Sequence, residues 1–238
     1  PNVTSTWSSL FPTSLTARTA IFINCSLYVI VDVSTIVVDN LTICGGLEFV
    51  NGMNYVFDAN LILILGAGRL VVGYQDAPFT GSLVITLHGT AFSPEFQFKY
   101  PAQGPVVGAK AIGVFGQMSL HGKQRSTWTR LAQPALVGQT SLMLINSVDW
   151  NLNDTIVVTS TSFDPSETEV FRVVSVSGAV VTLNATLKYN HTAERETIGT
   201  LSYSVRAEVG LLTRNIVILG DRSTTAFCCR VIMGTYQA

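Results

Sequence analysis

Several stretches of this chain are apolar at every position, and that pattern restricts the folds open to it. Leu61-Ile62-Leu63-Ile64-Leu65 is the clearest case, stopped by Gly66. Side chains alternate between the two faces of a strand, so such a run has no face to offer to water. It suits a strand buried on both sides or stacked in parallel. Short strand-like runs recur at Ala20–Ile23, Leu27–Val31, Leu41–Cys44, Leu47–Val50, Arg69–Val72, Leu83–Leu87, Ala111–Phe115 and onward to Asn215–Leu219. Gly, Asn, Asp and Pro fill the spacers and supply turns. No stretch of a dozen residues holds a helical period, and none approaches the ~18 apolar residues of a membrane helix. Val, Thr and Ile account for 69 of 238 residues, a β-branched load that favours pleated surfaces over helices. The expected class is all-β, with little helix.

A solenoid fits better than a sandwich. Ile85-Thr86-Leu87-His88-Gly89 and Met118-Ser119-Leu120-His121-Gly122 echo each other, and Ile216-Val217-Ile218-Leu219-Gly220 has the same strand-then-glycine form. Coils that repeat a strand and a tight turn are how a right-handed parallel β-helix reads. On this reading His88 and His121 occupy equivalent strand ends and stack structurally. Gly66-Ala67-Gly68-Arg69-Leu70-Val71-Val72-Gly73 lacks the spacing and the following helix of a dinucleotide loop, so it reads as a tight turn between coils. Thr90–Lys110 carries Pro94, Pro101 and Pro105 among Phe92, Phe96, Phe98 and Tyr100, poor material for a central strand. It is expected to be an excursion covering one side of the solenoid.

Only 12% of residues are charged and the net charge is −1. With a mean hydropathy of +0.40, the chain is not disordered. It also lacks the basic face that nucleic acid requires. Six of the twelve asparagines open an Asn-x-Ser/Thr acceptor: Asn2, Asn24, Asn40, Asn153, Asn184 and Asn190. Chance would supply roughly two or three, so the excess favours a secreted or lumenal chain. Cys25 and Cys44 lie 19 residues apart in strand-like stretches, while Cys228 and Cys229 are adjacent. Four buried thiols are one reading; a Cys25–Cys44 disulfide joining stacked positions of one coil is the other. Nothing has the spacing of a structural zinc site.

Candidate chemistry is sparse. Asp164, Glu167 and Glu169 form an acidic group in which an extended chain sets Glu167 and Glu169 on one side, roughly 6.5 Å apart. Paired carboxylates at such a distance serve glycan hydrolysis, and the same oxygens suit calcium; a solvated acidic turn explains them with less. Lys123, Arg125 and Arg130 surround Trp128, a set that can grip an anionic sugar while the ring stacks on its apolar face. A turn with a packed tryptophan is the plainer alternative.

Longer runs are familiar. Thr6-Trp7-Ser8-Ser9 with Pro12, then Val31-Asp32-Val33 and Leu41-Thr42-Ile43-Cys44-Gly45-Gly46-Leu47-Glu48-Phe49, resemble the domain named for its eight glycines, the G8 domain. The likeness continues through Gly68-Arg69-Leu70-Val71-Val72-Gly73, Pro78-Phe79-Thr80-Gly81 and Ile85–Gly89. Leu120-His121-Gly122-Lys123, Trp128-Thr129-Arg130-Leu131, Val148-Asp149-Trp150, Asp154–Val158 and Arg206–Ile216 resemble the segment after that domain in fibrocystins and their hyaluronan-degrading relatives. The relatives that degrade hyaluronan insert a further globular domain after the Trp segment. Here Trp128 to Val148 reads as a short connection, closer to the fibrocystin branch.

The resemblance implies a G8-like β-helical domain over residues 1–122 and a continuation of the parallel β-helix over 123–238. It implies a fragment of a larger extracellular or cell-surface glycoprotein, ciliary surfaces included, that ends within the solenoid. The expected role is structural and binding, without catalysis and without a cofactor other than calcium. Expected partners are other domains of the same chain and extracellular glycans or proteins, with no membrane segment in this section. A hyaluronan-type depolymerase is the alternative, with Asp164, Glu167, Glu169 and His121 as its only candidates.

Overall fold

A computed structural model describes residues 3–11, 19–90, 92–93, 95–97, 106–222 and 229–234. Asn2, Pro94, Phe98, Tyr100, Pro101, Pro105 and Cys228 lie outside the described residues. The chain divides into two compact units, one of Pro1–Lys123 with Arg214–Ala238, the other of Gln124–Thr213.

The first unit contains β1 (Val3–Thr6), β2 (Ile21–Ile23), β3 (Leu27–Val31), β4 (Thr35–Val37), β5 (Asn40–Ile43), β6 (Gly46–Phe49), β7 (Asn54–Ala59), β8 (Leu61–Val72), β9 (Ser82–Leu87), β10 (Phe96–Gln97), β11 (Val106–Val107) and β12 (Ala111–Leu120). The second contains β13 (Trp128–Arg130), β14 (Ser141–Met143), β15 (Thr155–Val158), β16 (Glu169–Ser177), β17 (Val180–Leu183), β18 (Ala193–Ile198), β19 (Leu201–Arg206) and β20 (Glu208–Leu211). The chain then re-enters the first unit as β21 (Ile216–Gly220) and β22 (Arg230–Met233). Helix among the described residues amounts to Trp7–Leu10 and a 3-10 turn at Pro165–Glu167.

In the first unit the long strands pair in parallel along three ladders. One runs through β2, β5, the first half of β8, the first half of β12 and β22, aligning Ile21, Leu41, Ile62, Ile112 and Val231. The next runs through β1, β3, β6 and the second halves of β8 and β12, aligning Ser5, Val29, Leu47, Leu70 and Met118. The last runs through β4, β7, β9 and β21, aligning Ile36, Phe57, Ile85 and Ile218. Inward positions of all three meet in one core, with Ile23, Val29, Ile43, Leu47, Phe57, Ile64, Leu70 and Ile85 excluded from solvent.

Leu61–Leu65 is buried on both parities for a reason the ladders make plain. Ile62 and Ile64 face the main core, while Leu61 and Leu63 join Val107, Ala111 and Phe115 in a separate cluster, with Phe96 and Ile232 packed against it. The described parts of the Thr90–Lys110 excursion thus cover the outer side of the first ladder. The glycine-rich turn is a corner rather than a link between coils. Gly66, at φ 57°, and Gly68 bend β8 from the first ladder into the second.

The Cys25–Cys44 disulfide forms at this same corner one step earlier, with its Cα atoms 4.4 Å apart. It closes a loop of about one coil, so its loss should lower stability by about 3 kcal/mol through the entropy returned to the unfolded chain. Thermal unfolding of Cys44→Ser, and of the native chain with and without reductant, checks this; equal midpoints would refute it. Cys229 packs partly buried against the main core.

The second unit differs from expectation. Its strands pair antiparallel, in the order β13-β20-β15-β16-β17-β14, with β18 and β19 as a separate ribbon. The parallel course expected across 123–238 is therefore interrupted from 124 to 213 and resumes at β21. Trp128 to Val148 is no short connection either; it contributes β13 and β14 to this unit. Two of the reversals are local: two-residue links at Gly178-Ala179 and Gly199-Thr200, with positive φ at both glycines, turn β16 back on β17 and β18 on β19. Alternation in β16, with Glu169, Phe171 and Val173 buried and Val170 and Arg172 exposed, gives it one wet face. Leu131, Trp150, Ile156, Phe171, Val181 and Val209 share the core of this unit.

Candidate functional site

The carboxylates proposed for hydrolysis are structural in their geometry. Asp164 precedes the 3-10 turn and accepts the Ser166 N–H at 2.8 Å. Ser166, through its hydroxyl and then its backbone N–H, holds the Asp164 carboxyl below the usual carboxylate range. Glu167 lies in that turn, whereas Glu169 opens β16 with its side chain buried. One Glu169 oxygen accepts the Lys188 N–H at 2.9 Å; the other takes the Tyr189 N–H at 3.2 Å and sits 3.0 Å from His191 Nε2. His191 Nδ1 lies 3.0 Å from the Thr159 carbonyl, so the ring faces an acceptor on each side. Glu169 is thus the anchor of a loop and not half of a carboxylate pair. His121 belongs to the first unit and these carboxylates to the second. Among the described residues no three His, Cys, Asp or Glu side chains gather as a metal ion requires.

The basic set is also divided. Arg125 is spent on Asp154, with Nη2 at 2.7 Å and Nη1 at 3.3 Å from its two oxygens, and donates to the Asp149 carbonyl at 2.7 Å. Trp150 Nε1 closes this knot by donating to the Ser126 carbonyl. Trp128 and Arg130 face outward from β13. The indole is 57% exposed, the Arg130 guanidinium lies 5.4 Å from its ring centroid, and Glu208 holds the same guanidinium at 3.1 Å. Lys123 stands in the first unit, lining a hollow of about 320 Å³ with Arg214 and Asn215.

Asn215 was not singled out from sequence, yet it ties several segments together. Its Oδ1 accepts the Lys123 N–H, and its Nδ2 donates to the carbonyls of Phe79 and Gly81. The Arg206–Ile216 run, the most distinctive in the chain, ends on this side chain.

A further cluster has no motif to announce it. His88 lies between two carboxylates, with Nε2 3.2 Å from Asp58 and Nδ1 3.2 Å from Asp221. Lys110, fully buried and at positive φ, reaches the Asp221 carboxylate at 2.5 Å and its carbonyl at 3.2 Å. His88 follows β9 on the third ladder, while His121 follows β12 on the second. The two histidines therefore do not stack, contrary to the echo in their sequences. Of the three echoing runs, Ile216–Gly220 and Ile85–Gly89 do neighbour each other, but two residues out of the register the echo implies, with Ile218 and not Ile216 opposite Ile85.

Five glycosylation acceptors fall among the described residues. Asn24, Asn153, Asn184 and Asn190 are exposed, and Asn40 is half-buried at the start of β5. Asn24 Oδ1 accepts from the Ser26 N–H and hydroxyl. Asn190 Oδ1 accepts the Val137 N–H, and Asn153 sits at φ 70°, a conformation asparagine tolerates.

A family model for the G8 domain matches residues 6–132. Fibrocystin-L of Mus musculus is 38% identical over 228 residues, covering 88% of this chain and 5% of that protein. Fibrocystin of Canis lupus familiaris is 33% identical over 213 residues, again 88% of this chain and 5% of the relative. A G8 domain-containing protein of Dictyostelium discoideum is 27% identical over 164 residues, 66% of this chain and 10% of its own. The chain thus spans about a twentieth of the fibrocystins it matches. A tailspike of Acinetobacter baumannii bacteriophage AP22, solved with a capsular saccharide, overlies 83% of this chain at a TM-score of 0.30 and 12% identity, a likeness too loose to carry an argument.

Proposed function

Because the chain belongs to the G8 domain family, we propose that it is a non-catalytic structural and binding section of a fibrocystin-like extracellular or cell-surface glycoprotein. In this reading the three ladders of the first unit are the faces of a right-handed parallel β-helix, whose coils pass from one ladder to the next, with the antiparallel unit inserted in the chain between β12 and β21. Its neighbours in the parent chain and extracellular glycans or proteins are its partners. The observation that carries the binding role is Trp128. An indole that is 57% exposed on a strand, with Arg130 over its face, offers stacking area and a cation together. Those are the two things an acidic sugar uses. Arg125 is not part of this platform, because Asp154 and the Asp149 carbonyl already occupy its guanidinium.

A second reading, cleavage of an extracellular polysaccharide, draws on the His88 cluster. A ring between two carboxylates with a buried lysine beside them has the ingredients of acid–base work.

Light scattering coupled to size exclusion, on the chain mixed with long hyaluronan and calcium, separates these readings. Co-elution with unchanged polymer mass is the expected result, and Trp128→Ala should weaken it by about tenfold or more. A polymer mass that falls with time, and stops falling in His88→Ala, would replace the first reading with the second. Unchanged mass without co-elution removes the glycan role and leaves a protein scaffold.

A further inference from the structure

Asn184 follows β17 and is held to β16 at two points. Its own N–H donates to the Arg172 carbonyl at 3.0 Å, and its side-chain Oδ1 accepts the Arg172 N–H at 2.8 Å. The amide therefore extends the strand pairing by one rung. That contact also settles which amide atom is which, since only the oxygen accepts. Among the described residues no acceptor takes Nδ2, the atom to which an N-linked sugar attaches. Asn184 lines a cleft of about 370 Å³ whose walls include Val170, Thr168, Lys188 and Tyr189. This volume lies near the lower end of small-ligand sites, which run from roughly 300 to 1,000 Å³. Val170 leaves 59% of its surface exposed there and Tyr189 38%. Threonine hydroxyl and lysine ammonium groups stand among them.

We propose that this cleft seats the chain's own glycan: the first N-acetylglucosamine on Asn184 lies over Val170 and against Tyr189, with Thr168 and Lys188 bonding its hydroxyl and acetamido groups. The proposal rests on the glycoprotein reading above and adds a structural role to one of its sugars. The pinned amide is what aims the sugar. With Oδ1 fixed on Arg172, the only freedom left to the new C1–N bond is rotation along the cleft. Attachment is the ordinary transfer from a polyisoprenyl-diphosphate oligosaccharide. Nδ2 forms the bond to C1 as it loses one proton, and the lipid diphosphate leaves with the electron pair of the broken C1–O bond. Once seated, the sugar ties the loop of residues 184–191, which Glu169 anchors from inside, to the exposed edge of β16.

The test uses the chain secreted from a eukaryotic host. Glycopeptide mapping first establishes occupancy at each acceptor. One portion is then trimmed by an endoglycosidase that leaves a single N-acetylglucosamine, and another is stripped completely. The expected result is an unchanged melting midpoint after trimming and a fall of roughly 3–6 °C after stripping, as about 1–2 kcal/mol gives in a chain of this size. Thr186→Ala, which blocks attachment while leaving Asn184 in place, should show the same fall. Thr192→Ala, which blocks attachment at Asn190 while leaving its bond to the Val137 N–H in place, should not. Hydrogen exchange supplies a readout independent of the midpoint: amides of residues 184–191 should lose protection in Thr186→Ala while those of Asn54–Ala59 keep theirs. An occupied Asn184 whose removal changes neither midpoint nor exchange would overturn the seat and leave the glycoprotein reading intact. An empty Asn184 with other acceptors filled would do the same. Sugar at no acceptor would overturn the glycoprotein reading itself.

Discussion

Replacing Gly68 by alanine should prevent the first unit from folding stably, while the same change at Gly52 should be nearly silent. Gly45, Gly68 and Gly116 each precede aligned residues of the second ladder, Gly46, Arg69 and Gln117, so they form a column at the corner between the first two ladders. At each, the place a Cβ would take is already filled by a backbone carbonyl. For Gly68 the oxygen of Ile43 stands well inside van der Waals contact and that of Leu65 is 2.8 Å away; for Gly116 the obstacle is the oxygen of Gly68 itself. Backbone cannot rotate aside as a flexible side chain does, and moving one carbonyl disturbs the hydrogen bonds above and below it. The expected loss is roughly 4 kcal/mol or more, in the range reached only by a few specific mechanisms. Gly52 has positive φ, at 84°, which Gly68 does not, but open space around it, so Gly52→Ala should cost about 1 kcal/mol from conformation alone. Denaturant unfolding of the two variants tests the pair. Similar midpoints would mean that the coils can spread at this corner, and the close-approach argument would fail.

That column gives three of the chain's glycines a steric reason and also shows why the sequence was only half legible. Glycines next to a doubly apolar run can be read as a bend from Gly66-Ala67-Gly68 alone. Their stacking on Gly45 and Gly116 depends on register, which follows from pairing partners 20 or more residues away. The disulfide was within reach because Cys25 and Cys44 are separated by about one coil. The His88 cluster was not: its members stand at 58, 88, 110 and 221, separations set by an excursion and by an inserted unit, and no local spacing relates them. The antiparallel unit was misread for a different reason. Its runs, such as Thr155–Val158 and Val180–Leu183, resemble those of the solenoid in length and composition. The distinguishing features were the two-residue glycine links. The candidate residues fared according to burial. Trp128 and Arg130 are surface groups, as a binding role needs, whereas Arg125 and Glu169 were charged residues already satisfied inside the fold.

Glu169 gives the sharpest test of that distinction. Its carboxylate accepts two backbone N–H groups and faces the buried His191, so Glu169→Ala leaves three polar groups without a partner and a cavity beside the ring. Leaving buried polar groups without their partner costs about 1–3 kcal/mol for each, and the second unit should lose about 3 kcal/mol or more. Glu169→Gln should lose less. Its oxygen can still accept the Lys188 N–H, and its NH2, which replaces the oxygen that took the Tyr189 N–H, can donate to Nε2 of the His191 tautomer that keeps Nδ1–H for the Thr159 carbonyl. His191→Ala on the Glu169→Ala background should cost far less than on the native chain, because the interaction it removes is already gone. A catalytic carboxylate would behave otherwise: both replacements at 169 would leave the unfolding midpoint near native, and the two alanine changes would add. Denaturant curves for the native chain, both single variants and the double variant therefore decide whether Glu169 is a structural anchor or belongs again among the candidates for chemistry.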